Sequence, residues 1–208
     1  MTLLYLLDIA AVAVFALTGA LVASRSQLDI VGFIFVACLT AVGGGTIRDV
    51  LLDRRPLFWV QNQEYVWLVV ALTLTAPLLL RARRLQLMDT LMEVADACGL
   101  GLFAISGASV ALVAGMPGIV AVLMGAITAV FGGVLRDVLC NEIPKVFHDH
   151  RPYTLCAFIG CTLFLALHAL DVAPQLSTVA GICTITGLRL LAVARGWRIP
   201  AWPPDRQG

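Results

Sequence analysis

Arg48-Asp49 and Arg136-Asp137 are the residues best placed to do chemistry in this chain, because each pair stands inside an otherwise apolar run. Ionisable groups in such a run are costly to hold in lipid. They face a bundle interior or a water-filled cavity and take a partner of opposite charge. Glycines precede both pairs: Gly43, Gly44 and Gly45 the first, Gly132 and Gly133 the second. The two regions match without a gap at an offset of 88 residues, Gly44-Gly45-Thr46-Ile47-Arg48-Asp49-Val50-Leu51 against Gly132-Gly133-Val134-Leu135-Arg136-Asp137-Val138-Leu139. The same offset carries Pro56 onto Pro144, Asp8 onto Asp96, Phe15 onto Phe103, Gly19 onto Gly107, Thr40 onto Thr128 and Thr18 onto Ser106. A match of this length is an internal duplication.

Adjacent glycines weaken a helix and are common kink sites. A helix opened in lipid survives only where it faces protein or a water-filled path. Its freed carbonyl oxygens are natural ligands for a partly dehydrated cation. Gly43, Gly44, Gly45, Gly132 and Gly133 are therefore candidate kink and pore residues, the other reading being close helix packing through small side chains. Asp8 and Asp96 are the expected partners of Arg48 and Arg136, one ion pair at each mouth of a path. These pairs, with Asp49 and Asp137, would act as a charged gate or vestibule, or as a clamp between neighbouring helices; the two readings are compatible. Thr18, Thr40, Ser106 and Thr128 are candidate pore liners, and the competing use of such hydroxyls is to bond their own helix backbone one turn back.

The elements that position these residues follow from composition. With 60% hydrophobic and 13% charged residues and a mean hydropathy of +0.94, the chain has too little polar surface for a soluble domain of its size. Spanning the hydrocarbon takes roughly 20 helical residues, and seven stretches qualify: about 2–23, 28–52, 64–80, 90–113, 117–140, 153–171 and 175–194. The fold class is an all-α polytopic membrane protein. The first span lacks the basic start and cleavage site of a signal peptide and reads as retained.

The duplication divides the chain into residues 1–87 and 88–174, each a three-helix repeat, followed by residues 175–208, a seventh helix and cytoplasmic tail. An odd number of spans per repeat inverts the second copy, with a pseudo-twofold in the membrane plane. Arg81, Arg83 and Arg84 with Asp89 and Glu93 would form the connection between the halves. With the N-terminus outside, the inner loops and tail carry Arg25, Arg81, Arg83, Arg84, Lys145, Arg151, Arg195, Arg198 and Arg206, and the outer loops only Arg54 and Arg55. The positive-inside rule then gives an outside N-terminus and a cytoplasmic C-terminus. The tail through Trp202, Pro203 and Pro204 reads as a loose end.

The six cysteines form no paired framework and read as small packing residues. His148, Asp149 and His150 carry metal-ligand chemistry, but no second cluster completes a site, so no metal is expected. His168 reads as interfacial. No nucleotide-binding or hydrolase motif is present, so the chain does not read as an enzyme. No cofactor and no nucleic-acid partner is expected.

With two three-helix repeats, a seventh helix and the paired glycine–Arg-Asp motifs at 43–49 and 132–137, the chain resembles the prokaryotic branch of the TRIC (trimeric intracellular cation) channels over about residues 3–195. The resemblance implies a homotrimer in the bacterial inner membrane. Each protomer would carry its own pore, lined by the glycine-kinked second and fifth helices and by the first and fourth, with K⁺ as the permeant ion. Animal members carry a Lys-Glu-Val stretch in the second helix linked to phosphoinositide binding, where this chain is glycine-rich. Bacterial relatives have also been regarded as carriers. The alternative is thus a secondary transporter for a small zwitterion such as glycine, with Arg for its carboxylate and Asp for its ammonium.

Overall fold

The computed structural model describes residues 3–26, 28–80 and 85–200. Arg81, Arg83 and Arg84, and the tail with Trp202, Pro203, Pro204 and Arg206, lie outside the described residues. Within them the chain is helical: α1 (Leu3–Ala23), α2 (Ile30–Leu51), α3 (Phe58–Gln61), α4 (Glu64–Leu80), α5 (Leu85–Val113), α6 (Gly118–Leu139), α7 (Lys145–His148), α8 (Thr154–Ala169) and α9 (Pro174–Arg195). Five of these are long and apolar enough to cross a membrane, namely α1, α2, α5 from Asp89 onward, α6 and α9. α4 and α8 are apolar but shorter, 17 and 16 residues. At 1.5 Å per residue they reach about 25 Å, short of the ~30 Å of a typical hydrocarbon core.

Two details depart from the sequence reading. α5 begins at Leu85, so Asp89 and Glu93 sit on its first turns and not in a connecting loop. Residues 87 and 88 lie within this helix. The helices α3 and α7 are single turns that hydropathy could not reveal.

The core is an α1, α2, α5, α6 assembly, with α5 packed against α1, α6 and α9, and α2 against α1 and α6. Its centre is the pair Phe15 and Phe103, duplicates of one another, with ring centroids 5.2 Å apart. α2 and α6 cross where glycine removes the side chain. A Cβ on Gly44 would stand 2.0 Å from the carbonyl oxygen of Thr128, and one on Gly132 2.6 Å from that of Thr40. Residue 44 thus meets 128 while 40 meets 132, so the two helices pass antiparallel. Arg48 and Arg136, each one turn beyond its glycine, lie on opposite sides of the crossing. α1 and α5 are antiparallel by the same logic: Asp8 bonds Ser106, and Phe15 packs on Gly99.

Candidate functional site: two Arg-Asp modules

α2 and α6 end alike. The caps Leu52 and Cys140 donate their N–H groups to the carbonyls of Arg48 and Arg136. Asp53 (φ 50°) and Asn141 (φ 58°) then adopt the left-handed conformation that Asp and Asn tolerate better than most residues. The turn carries the chain back over its own helix end. In the first copy the Phe58 N–H reaches Asp49 Oδ2 at 2.8 Å, and in the second the Lys145 N–H reaches Asp137 Oδ2 at 3.0 Å. The single-turn helices α3 and α7 thereby fix the aspartates, which hold the arginines beside them: Arg48 Nε to Asp49 Oδ1 is 2.9 Å, Arg136 Nε to Asp137 Oδ1 2.8 Å.

Both long-range ion pairs that the duplication suggests are present. Arg48 reaches Asp8 at 3.3 Å, and Arg136 reaches Asp96 at 3.1 Å. The modules differ in what surrounds them. Ser106 of the second copy joins the first module, accepting from Arg48 Nη1 at 3.2 Å and donating to Asp8. Its counterpart Thr18 does not join the second module; it donates to the Phe15 carbonyl at 3.0 Å. The Arg48 side chain is 0% exposed, and its Nη2 is buried without a hydrogen-bond partner among the described residues. Arg136 instead borders a narrow cavity of about 20 Å³ shared with Asp96, Asp137, Lys145, Tyr153 and Arg189. Beside it lies a polar vestibule of about 160 Å³, with Glu93, His148, Asp149 and Arg151 on its wall.

The remaining candidates sit at the crossing itself. α2 and α6 run as uninterrupted helices through Gly43, Gly44, Gly45, Gly132 and Gly133. Gly44 and Gly132 serve the close passage of the two backbones. Thr40 and Thr128 are fully buried and donate to the Val36 and Met124 carbonyls, each at 2.6 Å. Gly19 and Gly107 make room for these same threonines. Asp8, Asp49, Arg48 and Ser106 therefore form one cluster, Asp96, Asp137 and Arg136 a second, and Thr18, Thr40 and Thr128 line the packed interior between them.

The chain matches known proteins along nearly its whole length. A family model described as a glycine transporter matches residues 5–81 and again 93–169, two matches that begin 88 residues apart. The UPF0126 inner membrane protein YadS of Escherichia coli is 36% identical over 207 residues, 99% of each chain. A UPF0126 membrane protein of Vibrio cholerae is 36% identical over 97% of this chain and 83% of its own. A TRIC trimeric intracellular cation channel orthologue from Rhodobacter sphaeroides superposes with a TM-score of 0.89 at 36% identity, covering 95% of this chain and 100% of that one. The chain belongs to the prokaryotic TRIC/UPF0126 family. A second solved structure, described as showing conductance through TRIC cation channels, gives a TM-score of 0.85 at 29% identity over 98% of this chain and 99% of its own. The protein is accordingly an all-helical, multi-pass membrane protein with the TRIC fold.

One charged residue of this TRIC-family chain escaped the duplication argument. Arg189 on α9 is nearly buried and faces the Arg136 module. Its guanidinium lies 4.9 Å from the centroid of Tyr153, donates to the Pro152 carbonyl at 3.3 Å and approaches Asp149 at 3.5 Å. α9 has no counterpart in the repeat, so comparison of the halves could not find it. The signal was simpler: an arginine inside an apolar span is a site candidate by itself.

Proposed function

We propose that the chain is a monovalent-cation channel with K⁺ as its permeant ion. The path in each protomer runs between α1, α2, α5 and α6, from the Arg48 module to the Arg136 module. The observation that carries this reading is the antiparallel α2–α6 crossing, flanked by duplicated charged modules, one of which opens into a polar vestibule. The likeness to solved TRIC cation channels supports it. Ions would enter by the vestibule, where Glu93, Asp96 and Asp149 supply carboxylates. Conduction would require α2 and α6 to part at Gly44 and Gly132, placing the hydroxyls of Thr18, Thr40 and Thr128 and the neighbouring carbonyls on the path. We read the architecture as seven spans in two inverted repeats plus α9. The N-terminus is outside and the C-terminus cytoplasmic, in the bacterial inner membrane, and the assembly is a homotrimer in lipid. Reciprocal contacts such as 44 with 128 and 132 with 40 support the inversion, and the repeat boundary lies near residue 88.

A carrier for a small zwitterion is the second reading. The matching family model carries that description, and the vestibule offers Lys145 and Arg189 beside Glu93 and Asp96. Purified protein in a planar bilayer with KCl separates the two, wild type beside Arg136→Ala. Discrete K⁺ steps that the substitution alters are the expected result. A silent bilayer, with saturable and competable glycine uptake into liposomes, would replace the channel by the carrier.

A further inference from the structure

The duplication supplies an internal control, because each residue near one module has a counterpart at the other. Over the Arg48 module lies an aromatic cluster. The Phe58 ring covers the Arg48 guanidinium at 5.2 Å, Tyr65 packs edge-on against Phe58 at 5.0 Å, and Tyr5 against Tyr65 at 5.7 Å. Phe58 and Tyr65 are buried. Gly45 makes the seat for Phe58, since a Cβ there would stand 2.5 Å from the ring.

At the offset of 88 the counterparts of Tyr5, Phe58 and Tyr65 are Glu93, Val146 and Tyr153. Only the last ring is kept. Val146 and Tyr153 line the narrow cavity at Arg136, and Glu93 lines the vestibule, where it pairs with Arg151 at 3.2 Å. Among the described residues, Gly133, the counterpart of Gly45, has nothing nearer its Cβ position than Arg136 Nη2 at 3.6 Å. The mouth without the two rings borders the narrow cavity and the vestibule. At the mouth that has them the Arg48 side chain is 0% exposed, although Asp49 beside it also meets the partly exposed Arg54 at 3.3 Å.

We propose that Tyr5, Phe58 and Tyr65 form a lid that closes the Arg48 mouth, with Phe58 as the element that must move for that mouth to admit water and ions. Its seat on the single-turn helix α3, tied to Asp49 through the Phe58 N–H, couples the lid to the charged module beneath it. The inference rests on the reading that the path joins the two modules, and it makes the two ends unequal. The Arg136 mouth holds a water-sized cavity beside a vestibule at rest, whereas the Arg48 mouth opens by displacement of one ring.

The test exchanges the counterparts, Phe58→Val and Val146→Phe, in purified protein reconstituted in liposomes. Two quantities are read: K⁺ flux, and hydroxyl-radical labelling of Tyr65 and Tyr153 located by mass spectrometry. In the wild type both tyrosines are buried, Tyr153 9% and Tyr65 2% exposed, and Tyr153 beside the narrow cavity should label more than Tyr65. Phe58→Val should raise Tyr65 labelling and K⁺ flux severalfold, whereas Val146→Phe should lower Tyr153 labelling and flux. Tyr65 remaining protected in Phe58→Val overturns the lid, as does a rise in its labelling with unchanged flux in a protein that conducts. Absence of K⁺ flux in every form removes the channel reading, while the two tyrosines still decide whether Phe58 excludes water. Should Phe58→Val fail to elute as the wild-type assembly, Val146→Phe carries the test, and unchanged Tyr153 labelling in it overturns the proposal.

Discussion

Gly44→Ala is expected to cause the largest loss of stability of any single-methyl addition at the glycine clusters. Alanine is the better helix former, by up to ~1 kcal/mol, so an unobstructed site should gain. At Gly44 the new Cβ would lie 2.0 Å from the Thr128 carbonyl oxygen, a backbone atom that no rotamer change can move. The helices must separate along their whole contact, which also seats Gly132 against Thr40. Overpacking costs about 1–3 kcal/mol where side chains can adjust, and a backbone obstacle places this site at or above that range.

The other glycines grade the effect. Gly132→Ala meets backbone at 2.6 Å, Gly43→Ala meets only the flexible end of Leu135, and Gly133→Ala finds no neighbour closer than 3.6 Å. Thermal unfolding in detergent should rank Gly44→Ala lowest, then Gly132→Ala, with Gly133→Ala at or above wild type. Equal melting of Gly44→Ala and Gly133→Ala would remove the close crossing as the reason for these glycines.

Asp8→Ala should destabilise the protein by roughly 3–5 kcal/mol, the usual cost of removing one partner from a buried ion pair. Arg48 would keep Asp49 and Ser106, but its charge would remain fully enclosed with Nη2 already unpartnered. Asp96→Ala removes the equivalent carboxylate from Arg136, yet that arginine borders a cavity and a polar vestibule. Asp96 is itself the more exposed of the two, 13% against 9%. Water can replace part of what Asp96 supplied, so its loss should cost less. Melting temperatures of the two variants, measured side by side, decide the point. A larger loss for Asp96→Ala would mean that the Arg48 mouth is not the sealed one.

Much of this was legible in the sequence, because lipid leaves few options. Buried charges must pair, and an ungapped duplication names the pairs, so Asp8 and Asp96 could be assigned to Arg48 and Arg136. The glycines were legible as a motif but not as a mechanism. A Gly-Gly step serves a kink or a close crossing equally well, and that Gly44 and Gly132 serve a close crossing shows only in the position of the Thr128 and Thr40 carbonyls. The threonines posed a similar choice, and in this structure their hydroxyls turn to their own helices. α3 and α7 are too short for any hydropathy period, although they tether Asp49 and Asp137. The inequality of the two mouths was written in Tyr5 against Glu93 and Phe58 against Val146. It lay in the differences between the halves, whereas the duplication had been found from their identities.

The α2–α6 crossing has a consequence for how such a chain could have arisen. Subtracting the offset from the second copy turns the contact of 44 with 128 and that of 132 with 40 into one contact, made twice. A half-length ancestor meeting a second copy of itself antiparallel would build the same centre with no further residue. While the halves were encoded once, every substitution would strike both ends together. Joining them in one polypeptide released that constraint. It allowed the two ends to differ, Tyr5 and Phe58 at one and Glu93 and Val146 at the other, with the glycines at the shared centre bound to remain alike.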